Sequence, residues 1–536
     1  MPSLEMPRIP TSRSSRFRIA WGPISRTLDA LRLLFETAID PALSLRGPIT
    51  SGRIPEAREP HRWSRKPATP GELARVLAEC GASGLPLKAS AARRAMSDIR
   101  MTSGVLVDMR GRQAIGAPEV EPGGGTAERK LSLSFEAGAS VGTLNRALGA
   151  DRDDRVSFAL LNQPGYGELT YVGCMSVGGH GSGVRSGALA SQVRALSMVG
   201  IGSDGAMRAM ELDEGHEHWR AATVGLGLVG VIERLTIGVQ SGFRVRELRA
   251  ATSVSELSKR FDDLVSWNEG TAPDGRLGVP HSFEIWFNPY TGRAALGQRW
   301  MTLDPVVGRR PFAQRTSGFG ALEVAFDLFD SYGSAGRFGR SDLVAEVLDA
   351  AIDGVVHEEG RQLVLTAADG LDFAAPNQYD TVASAVGVPA GRCMEALSAI
   401  MLLCEELREV SPSAGGPLYV SSPIGVRFVR GEGDKRPYLA PQFEGLTAMI
   451  ELPCLATVRS SERVLSKIVR MLMSDFKGRP HWGQFLPSWI RAADIRRVYD
   501  ADAVEGFLAA RRDLDPKGRL DNAFAVRMGL VVQAPR

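Results

Sequence analysis

Hydrophobic and polar positions switch repeatedly between the periods of helices and strands over residues 56–240. "TPGELARVLAECGASG" predicts a helix, with Thr69 as cap, Pro70 at the start and Gly81 after the end. "GVLVDM" predicts a short buried strand, and "QVRALSMVGIGSDGAMRAM" predicts two strands around a turn at Asp204-Gly205. The region is therefore predicted to be one mixed α+β domain.

A second region, residues 241–490, is longer and less regular. It opens with the strand patterns "SFEIWFNPY" and "RAALGQRWMT", and helical patterns follow in "SDLVAEVLDAAIDGVV" and "GRCMEALSAIMLLCEEL". Residues 491–536 are assigned to a separate C-terminal segment. At the other end, "ISRTLDALRLLFETAI" predicts an amphipathic helix, so residues 1–55 are interpreted as an N-terminal extension.

Composition excludes several classes of function. The 536 residues carry a net charge of only +3, which gives no argument for nucleic acid as a partner. The five cysteines show no paired spacing, so we expect no disulfide framework, no metal site and a reducing, cytoplasmic location. No apolar run approaches the ~20 residues of a membrane span. The Arg- and Ser-rich N-terminus lacks a secretory apolar core, and a transit peptide stays an alternative.

One motif has the wrong context for its usual function. "GLGLVG", with Gly225, Gly227 and Gly230, matches the G-x-G-x-x-G pattern of dinucleotide-binding folds. That fold requires a strand before the motif and a helix after it. Here helix-like "HWRAATV" precedes it and strand-like "VIERLTIGV" follows. A nicotinamide site is therefore not predicted, and the glycines need another reason, such as close approach of backbone to a ligand.

The segment "GCMSVGGHGSGVRSG", residues 173–187, is dense in glycine. Glycines allow several backbone N–H groups to converge on phosphate or ring oxygens. The natural donors are Gly173, Gly178, Gly179, Gly181, Ser182 and Gly183. A tight surface loop is the alternative interpretation.

Three segments in order, "FEAGASVGTLNRAL", "YVGCMSVGGHGSGVRSGALASQVRAL" and "AATVGLGLVGVIERLTI", resemble the FAD-binding domain of the vanillyl-alcohol oxidase superfamily. The resemblance is to its aldonolactone and alditol oxidase branch, and "RPHWGQF" and "FLAARRDLDPKGRLDNAF" are similar to the same branch. "SFEIWFNPYTGRAALGQRW" is also similar to flavin-linked type II cholesterol oxidases. The resemblance covers residues 60–300 and 415–530.

The resemblance implies an α+β fold, with a PCMH-type FAD-binding domain of two subdomains and a substrate (cap) domain whose antiparallel sheet is flanked by helices. Residues 56–240 would bind FAD, residues 241–490 would form the substrate domain, and residues 491–536 would return to the flavin. His180 then belongs to the cofactor loop and is not the base. The expected cofactor-binding residues are Ala89, Ser90, Ala91, Arg93, Arg94, Ser97, Gly173, Cys174, Ser176, Gly178, Gly179, His180, Gly181, Ser182, Gly183, Gly227, Gly230, Val231, Ile232 and Asn522.

The chain departs from the family pattern in its first flavin loop. Many relatives carry a histidine there that is linked covalently to the flavin. The corresponding stretch is "LPLKASAARRAMSDI", and Arg94 stands at the histidine's position. Arginine lacks the nucleophilic ring nitrogen, so we expect the flavin to be bound without a covalent link. Arg93 or Arg94 could pair with phosphate, and solvated surface charges are the alternative.

Two further departures concern the expected active site. Relatives carry Glu-x-Arg on a strand that faces the flavin, whereas "SSPIGVRFVRG" has Gly425 at the glutamate's position and keeps Arg427. In "HWGQ", Gln484 stands where lysine is frequent. If no other residue compensates, a site with fewer charges suits a less polar substrate, such as a steroid, terpenoid or polyketide alcohol.

The resemblance implies oxidation of an alcohol, in which a base takes the hydroxyl proton, a hydride passes to flavin N5 and the electrons then reach O2. Arg427 is expected to stabilise negative charge on the reduced flavin. Glu284 and His481 are the candidate bases, and Asn522 is expected to hydrogen-bond the flavin edge or the substrate oxygen.

Three functions stay open at this point. The first is an oxidase for a hydrophobic or secondary-metabolite alcohol, with an aldonolactone or alditol oxidase as its alternative. The second is a dehydrogenase that uses another electron acceptor, favoured if Cys174 narrows the access of oxygen. The third is a flavoprotein without catalytic activity, since the Glu-x-Arg pair is broken.

Overall fold

The computed structural model describes residues 63–120, 131–151, 158–266, 281–308, 341–356, 361–371, 381–410, 416–456, 458 and 460–532.

The first sheet lies at the start of the described chain and is small and parallel. Three strands pair in the order β1-β3-β2, and one helix connects the first two. The elements are β1 (Trp63–Arg65), α1 (Pro70–Ser83), β2 (Leu87–Ser90) and β3 (Val105–Asp108).

The ends of α1 show which local signals the sequence carries. The side chain of Thr69 accepts a hydrogen bond from the backbone N–H of Glu72, so the predicted cap is confirmed. The predicted end at Gly81 is wrong, because the helix continues to its left-handed C-cap, Gly84, with φ of 70°. Gly81 is needed for packing instead: a Cβ there would lie 2.6 Å from the carbonyl oxygen of Gly205.

A second, antiparallel sheet of six strands completes the first region. Its order is β4-β5-β9-β7-β8, with β6 paired to β9. The predicted turn at Gly205 joins β7 to β8, and its φ of 85° explains the glycine. The elements are β4 (Glu119–Val120), β5 (Leu131–Glu136), α2 (Val141–Leu148), β6 (Phe158–Ala159), α3 (Tyr171–Met175), β7 (Val193–Ile201), β8 (Met207–Asp213), α4 (Trp219–Ala222) and β9 (Val231–Ser241).

The second region is built on one antiparallel sheet of eight strands, in the order β13-β10-β12-β11-β15-β16-β14-β17. The sheet changes between Ser241 and Arg244, where β9 gives way to β10. Helix α9 packs on β14, and α8 packs on α5. The elements are β10 (Arg244–Ser253), α5 (Val254–Ser266), β11 (Ser282–Phe287), β12 (Arg293–Thr302), α6 (Ser341–Val355), β13 (Leu363–Thr366), α7 (Ala367–Leu371), β14 (Thr381–Pro389), α8 (Cys393–Arg408), β15 (Ile424–Arg430), β16 (Leu446–Leu455), α9 (Ser461–Asp475) and β17 (Arg479–Pro480).

The C-terminal helices return to the first sheet. The backbone N–H of Leu87 donates to the carbonyl of Arg519 over 2.9 Å, and Arg527 forms an ion pair of 2.5 Å with Asp98. Arg511 is fully buried and donates to the carbonyl of Leu228. The elements are α10 (Ala492–Val498), α11 (Ala501–Leu514) and α12 (Ala523–Met528).

The architecture confirms the predicted α+β class. The order around "GLGLVG" is confirmed as well, since α4 precedes it and β9 follows. The predicted N-terminal helix falls outside the described residues. Within the described ranges, no helix is both long and apolar enough to cross a bilayer.

Candidate functional site

A cleft of about 580 Å³ lies in the first region. Its walls come from the end of β2 and the loop after it, from residues 166–177 and 222–232, and from residues 481–484 near the large sheet. Twelve of the residues predicted for cofactor binding or catalysis line it, namely Ala89, Ser90, Ala91, Arg93, Arg94, Gly173, Cys174, Ser176, Gly227, Gly230, Ile232 and His481.

The other predicted cofactor residues lie outside the lining of the cleft. Most belong to residues 178–183, which cross to the large sheet. The backbone N–H of Gly183 donates to Phe428 O over 2.6 Å, and Ser182 Oγ donates to Phe283 O over 2.8 Å. Ser97 Oγ donates to Trp482 O. The residues outside the lining are Ser97, Gly178, Gly179, His180, Gly181, Ser182, Gly183, Val231 and Asn522.

Protein atoms, rather than a ligand, explain three of these glycines. A Cβ on Gly178, whose φ is 78°, would meet the ring of Pro441 within 3.0 Å. On Gly179 a Cβ would meet Cys174, and on Gly181 it would meet Asn162, again within 3.0 Å. At these positions the packing of neighbouring protein atoms accounts for the glycines without the close approach of a ligand.

The loop after β2 forms one wall of the cleft. Arg93 takes a left-handed conformation, with φ of 57°, and donates to Asp108 over 3.3 Å. Arg94 pairs with Glu168, which also lines the cleft. Either arginine would therefore exchange a carboxylate for a phosphate if it bound the cofactor. The backbone N–H of Met96 donates to Gly483 O over 2.9 Å, which joins this loop to the third wall.

Lys88 lines the same cleft and was missed by the sequence analysis. Its side chain is fully buried, and Nζ donates to Gly227 O over 2.9 Å. Burial, with a further contribution from the charge of Arg511, lowers the pKa of Lys88 to about 7. A lysine inside the apolar strand "LPLKAS" was the available signal, since lysine is rarely buried without a partner.

The chemistry of the cleft fits FAD. Gly227 has φ of 60°, and a Cβ there would have only Lys88 Nζ within 4 Å, so any side chain would take space from the cleft. Among the described residues, the buried Oε1 of Gln484 has no hydrogen-bond partner, and it faces a lining with basic and apolar sections. Lys88 and Arg94 suit phosphate, and Met96 and Val177 suit a flat ring. Among the described residues, no group of three or more His, Cys, Asp or Glu side chains could hold a metal ion.

His481 lines the cleft but is unsuited to act as the base. The backbone N–H of Gly483 donates to its Nδ1 over 3.1 Å, so a neutral ring carries its proton on Nε2. Burial, together with the neighbouring His180, lowers the pKa of His481 to about 3. These features do not favour His481 as the base, because its Nδ1 lone pair accepts the hydrogen bond from Gly483 and burial disfavours its protonated form.

His180 and Cys174 complete the buried surroundings of His481. The two imidazole centroids lie 5.7 Å apart, and His180 Nδ1 donates to Gly181 O over 2.8 Å. Burial and the charge of Arg427 lower the pKa of His180 to about 4. Burial raises the pKa of Cys174 to about 12, so the thiol stays protonated. His180, His481 and Cys174 are therefore uncharged. The charge of Arg427 is close enough to contribute to the low pKa of His180 and to oppose the rise in the pKa of Cys174.

A chain of alternating charges crosses the large sheet. Glu247 contacts Arg299 over 2.9 Å, and Arg299 contacts Glu284 over 3.3 Å. Glu284 contacts Arg427 over 3.2 Å, and Arg427 contacts Glu451 over 3.4 Å. The side chains at the start of the chain are completely buried, whereas Glu451 at its end is 27% exposed. Arg427 and Glu284, two of the predicted catalytic residues, are thus brought together.

This row of alternating charges changes two expectations. Glu284 has one oxygen toward each of two guanidinium groups, which leaves it poorly placed to accept a proton from a substrate. The expectation of a less polar site assumed that nothing compensates for Gly425, and Glu451 contradicts that assumption. Glu451 was missed, although a single charge within the apolar strand "LTAMIELPCL" was a usable signal.

Asn522 has a structural function instead of the predicted catalytic one. Its Nδ2 donates to Ile99 O over 2.9 Å and to Met101 O over 2.8 Å. Its Oδ1 accepts from the backbone N–H of Ala525 and caps α12. Both donors and the carbonyl are in use, so the predicted bond to flavin or substrate is contradicted. Asn522 instead holds α12 against the segment that follows the cofactor loop.

Comparisons with solved structures show the fold. The cholesterol oxidase of Brevibacterium sterolicum matches with a TM-score of 0.68 and 13% identity, covering 87% of this chain and 94% of that one. A protein described as a solvent-stable cholesterol oxidase matches with a TM-score of 0.67 and 15% identity. At such identity the likeness concerns the fold alone, a PCMH-type FAD-binding fold.

Sequence comparisons extend this result. An L-gulono-1,4-lactone dehydrogenase of Mycobacterium tuberculosis is 25% identical over 467 residues, covering 84% of this chain and 95% of the relative. The L-gulonolactone oxidase of Bos taurus is 24% identical over 470 residues, covering 86% of this chain and 93% of the relative. Residues 235–528 match the family described as D-arabinono-1,4-lactone oxidase. The matched residues include the large sheet and the C-terminal helices. The chain therefore belongs to the D-arabinono-1,4-lactone oxidase family and is an FAD-dependent oxidoreductase.

Proposed function

We propose that the protein oxidises a CH–OH group of a hydroxylated lactone. The observation that carries the proposal is the charge chain from Glu247 to Glu451 on the large sheet. At the exposed end of the charge chain, Arg427 and Glu451 can exchange hydrogen bonds with a ligand that carries several hydroxyl groups, whereas a steroid or terpenoid would cover these two charged groups without offering such bonds. The names of the relatives, two of which are lactone-converting proteins, support the same substrate class.

FAD, when bound, supplies the acceptor for the two electrons and the hydrogen that leave the carbon. The protein's own contribution is to bind, orient and exclude water. Arg427 is 14% exposed and can stabilise negative charge at the sheet surface, and its guanidinium group lies 3.2 Å from the carboxylate of Glu284. Arg299 lies 3.3 Å from the other carboxylate oxygen of Glu284. Such fixed dipoles and charges need no reorganisation during the reaction.

The electron acceptor is a separate part of the proposal. We propose oxygen as the acceptor, with a dye-like or protein acceptor as the alternative, since the relatives include both an oxidase and a dehydrogenase. Cys174 lines the cleft, and its sulfur fills the space in front of Gly179. If that sulfur restricts oxygen, Cys174→Gly should raise the rate at which reduced protein reacts with oxygen and leave the rate of reduction by substrate unchanged.

The test is single-turnover reduction of the FAD-loaded protein without oxygen. A panel of hydroxylated 1,4-lactones should bleach the flavin absorbance, and a matched panel of sterols and terpenoid alcohols should not. Readmission of oxygen with peroxide detection then separates an oxidase from a dehydrogenase. Reduction by the apolar panel alone would refute the proposed substrate class. Reduction by neither panel would favour a flavoprotein without this activity.

A further inference from the structure

The large sheet is buried over most of its area but open around Gly425. Trp286, Gly425, Arg427 and Glu451 are all partly exposed, while their neighbours along β11, β15 and β16 are mostly buried. Since antiparallel partners share a face, the register places these four residues on one side of the sheet. The four partly exposed positions therefore lie side by side on one face of the sheet.

Gly425 leaves a niche among these four positions. A Cβ on Gly425 would have Glu451 Oε2 and Trp286 Cδ1 each at 3.9 Å, and no atom closer than 3.8 Å. The other carboxylate oxygen of Glu451, Oε1, faces Arg427 at 3.4 Å. The niche is thus bounded by a carboxylate oxygen, an indole ring and a guanidinium group. An aromatic surface beside a carboxylate and a guanidinium suits a ring that carries hydroxyl groups.

The strand register relates the niche to the cofactor cleft. Gly425 pairs with Glu451, and Glu451 pairs with Ala385. The carbonyl of Ala385 accepts a hydrogen bond from the backbone N–H of His481, which itself lines the cleft. Only the small side chain of Ala385 separates Glu451 from His481 along this row. A ligand above Gly425 therefore lies on the side of the sheet that leads to the cleft.

We propose that Glu451 is a substrate-binding residue, and that its Oε2 accepts a hydrogen bond from a hydroxyl group of a ligand seated over Gly425. This inference rests on the proposed function and deepens it, because it assigns recognition of the hydroxylated ligand to a residue outside the strand that carries Arg427. Glu451 suits the task because one oxygen is held by Arg427 while the other faces the niche. Gly425 determines specificity by leaving room for the ligand.

The experiment measures binding and reduction separately in the FAD-loaded protein. Titration with a hydroxylated 1,4-lactone, followed by perturbation of the flavin spectrum without oxygen, gives the dissociation constant. The rate of bleaching gives the reduction step. Loss of one charge-assisted hydrogen bond in Glu451→Gln should weaken binding by ~10- to 100-fold. Gly425→Leu should abolish binding by filling the niche, whereas Gly425→Ala, with its Cβ in ordinary contact, should reduce it less.

Matched controls separate recognition from folding. Glu405→Gln replaces a 51% exposed glutamate on α8, and Gly354→Leu fills open space on α6, so neither should change binding. FAD content and melting temperature should stay unchanged in Glu451→Gln. If the wild type binds the lactone but is not reduced by it, and Glu451→Gln loses this binding, the proposed function is refuted and the subsite is supported. Unchanged dissociation constants in both Glu451→Gln and Gly425→Leu would overturn the subsite, and absence of wild-type binding would overturn both.

Discussion

Lys88 is a buried charge in the cofactor cleft, and its replacement by methionine should change stability and FAD binding in opposite directions. The side chain is 1% exposed, and Nζ donates to the carbonyl of Gly227. Burial is the main cause that lowers its pKa from 10.5 to about 7, and the charge of Arg511 adds to it. A methionine side chain would keep a similar length and remove both the charge and the donor.

The magnitude follows from proton linkage. The fall of the Lys88 pKa from 10.5 to about 7 corresponds to roughly 5 kcal/mol of unfolding free energy. The unfolded lysine keeps its proton up to the higher value, while the folded one loses it above the lower value. Stability contributed by this group is therefore fully present above pH 10.5 and is lost as the pH falls to about 7. Against this, losing the hydrogen bond to Gly227 costs ~1–3 kcal/mol at any pH.

We therefore expect a change of sign with pH. At about pH 6, the apoprotein of Lys88→Met should be more stable than wild type by ~2–4 kcal/mol, and at about pH 10 the difference should approach zero or reverse. FAD affinity at about pH 6 should fall ~10- to 100-fold, because a charged donor has left a cleft suited to phosphate. Melting curves of the apoprotein across pH and titration with FAD provide the two measurements.

The matched control is Lys467→Met, which removes an exposed lysine on α9 and should show neither effect. A difference in stability between wild type and Lys88→Met that is constant from about pH 6 to about pH 10 would refute the linkage argument. Unchanged FAD affinity would limit Lys88 to a packing function.

Three other predictions concern chemistry, acid stability and cofactor attachment. Arg427→Ala should slow reduction of the flavin by one to three orders of magnitude, which corresponds to roughly 1.4–4 kcal/mol of activation free energy. Arg427→Lys should retain part of the rate. An unchanged single-turnover rate would show that the arginine is merely structural. An unfolded His481 gains a proton below about pH 6.5, but the folded one stays neutral down to about pH 3, so stability falls with pH by up to ~1.4 kcal/mol per unit. His481→Gln should shift acid unfolding to lower pH, and an unshifted acid transition would contradict the assigned cause. FAD should be released completely on acid or heat denaturation, because Arg94 cannot bond covalently to it; fluorescent protein in a denaturing gel would contradict this.

Local signals predicted much of the fold. The cap at Thr69 and the turn at Gly205 depend only on nearby residues, and both were found as predicted. Gly81 and Gly84 both follow an apolar stretch, so either could end the helix. In the structure Gly84 is the C-cap, and Gly81 lies inside the helix, where it makes room for the turn at Gly205. Which glycine ends a helix is thus decided by tertiary contacts that the pattern does not contain.

The site was predicted less completely, because its residues meet through long-range register. Arg427 and Glu284 were both proposed, but their pairing depends on the alignment of β11 with β15. Glu451 requires one further alignment, that of β16. Asn522 shows the opposite limit: asparagine before a helix is an ordinary capping signal, and the family resemblance gave it a function that its hydrogen bonds exclude.

The wall of the cofactor cleft that comes first along the chain is held in place by the last helices. Leu87 binds the backbone of Arg519, and Asn522 binds the carbonyls of Ile99 and Met101. A domain made early in synthesis ordinarily folds before the rest of the chain is complete. Here the cofactor region cannot do so, since these partners are made more than four hundred residues later. We therefore expect FAD uptake to follow synthesis of the C-terminal helices, so that a bound flavin would mark a chain in which the two ends have met.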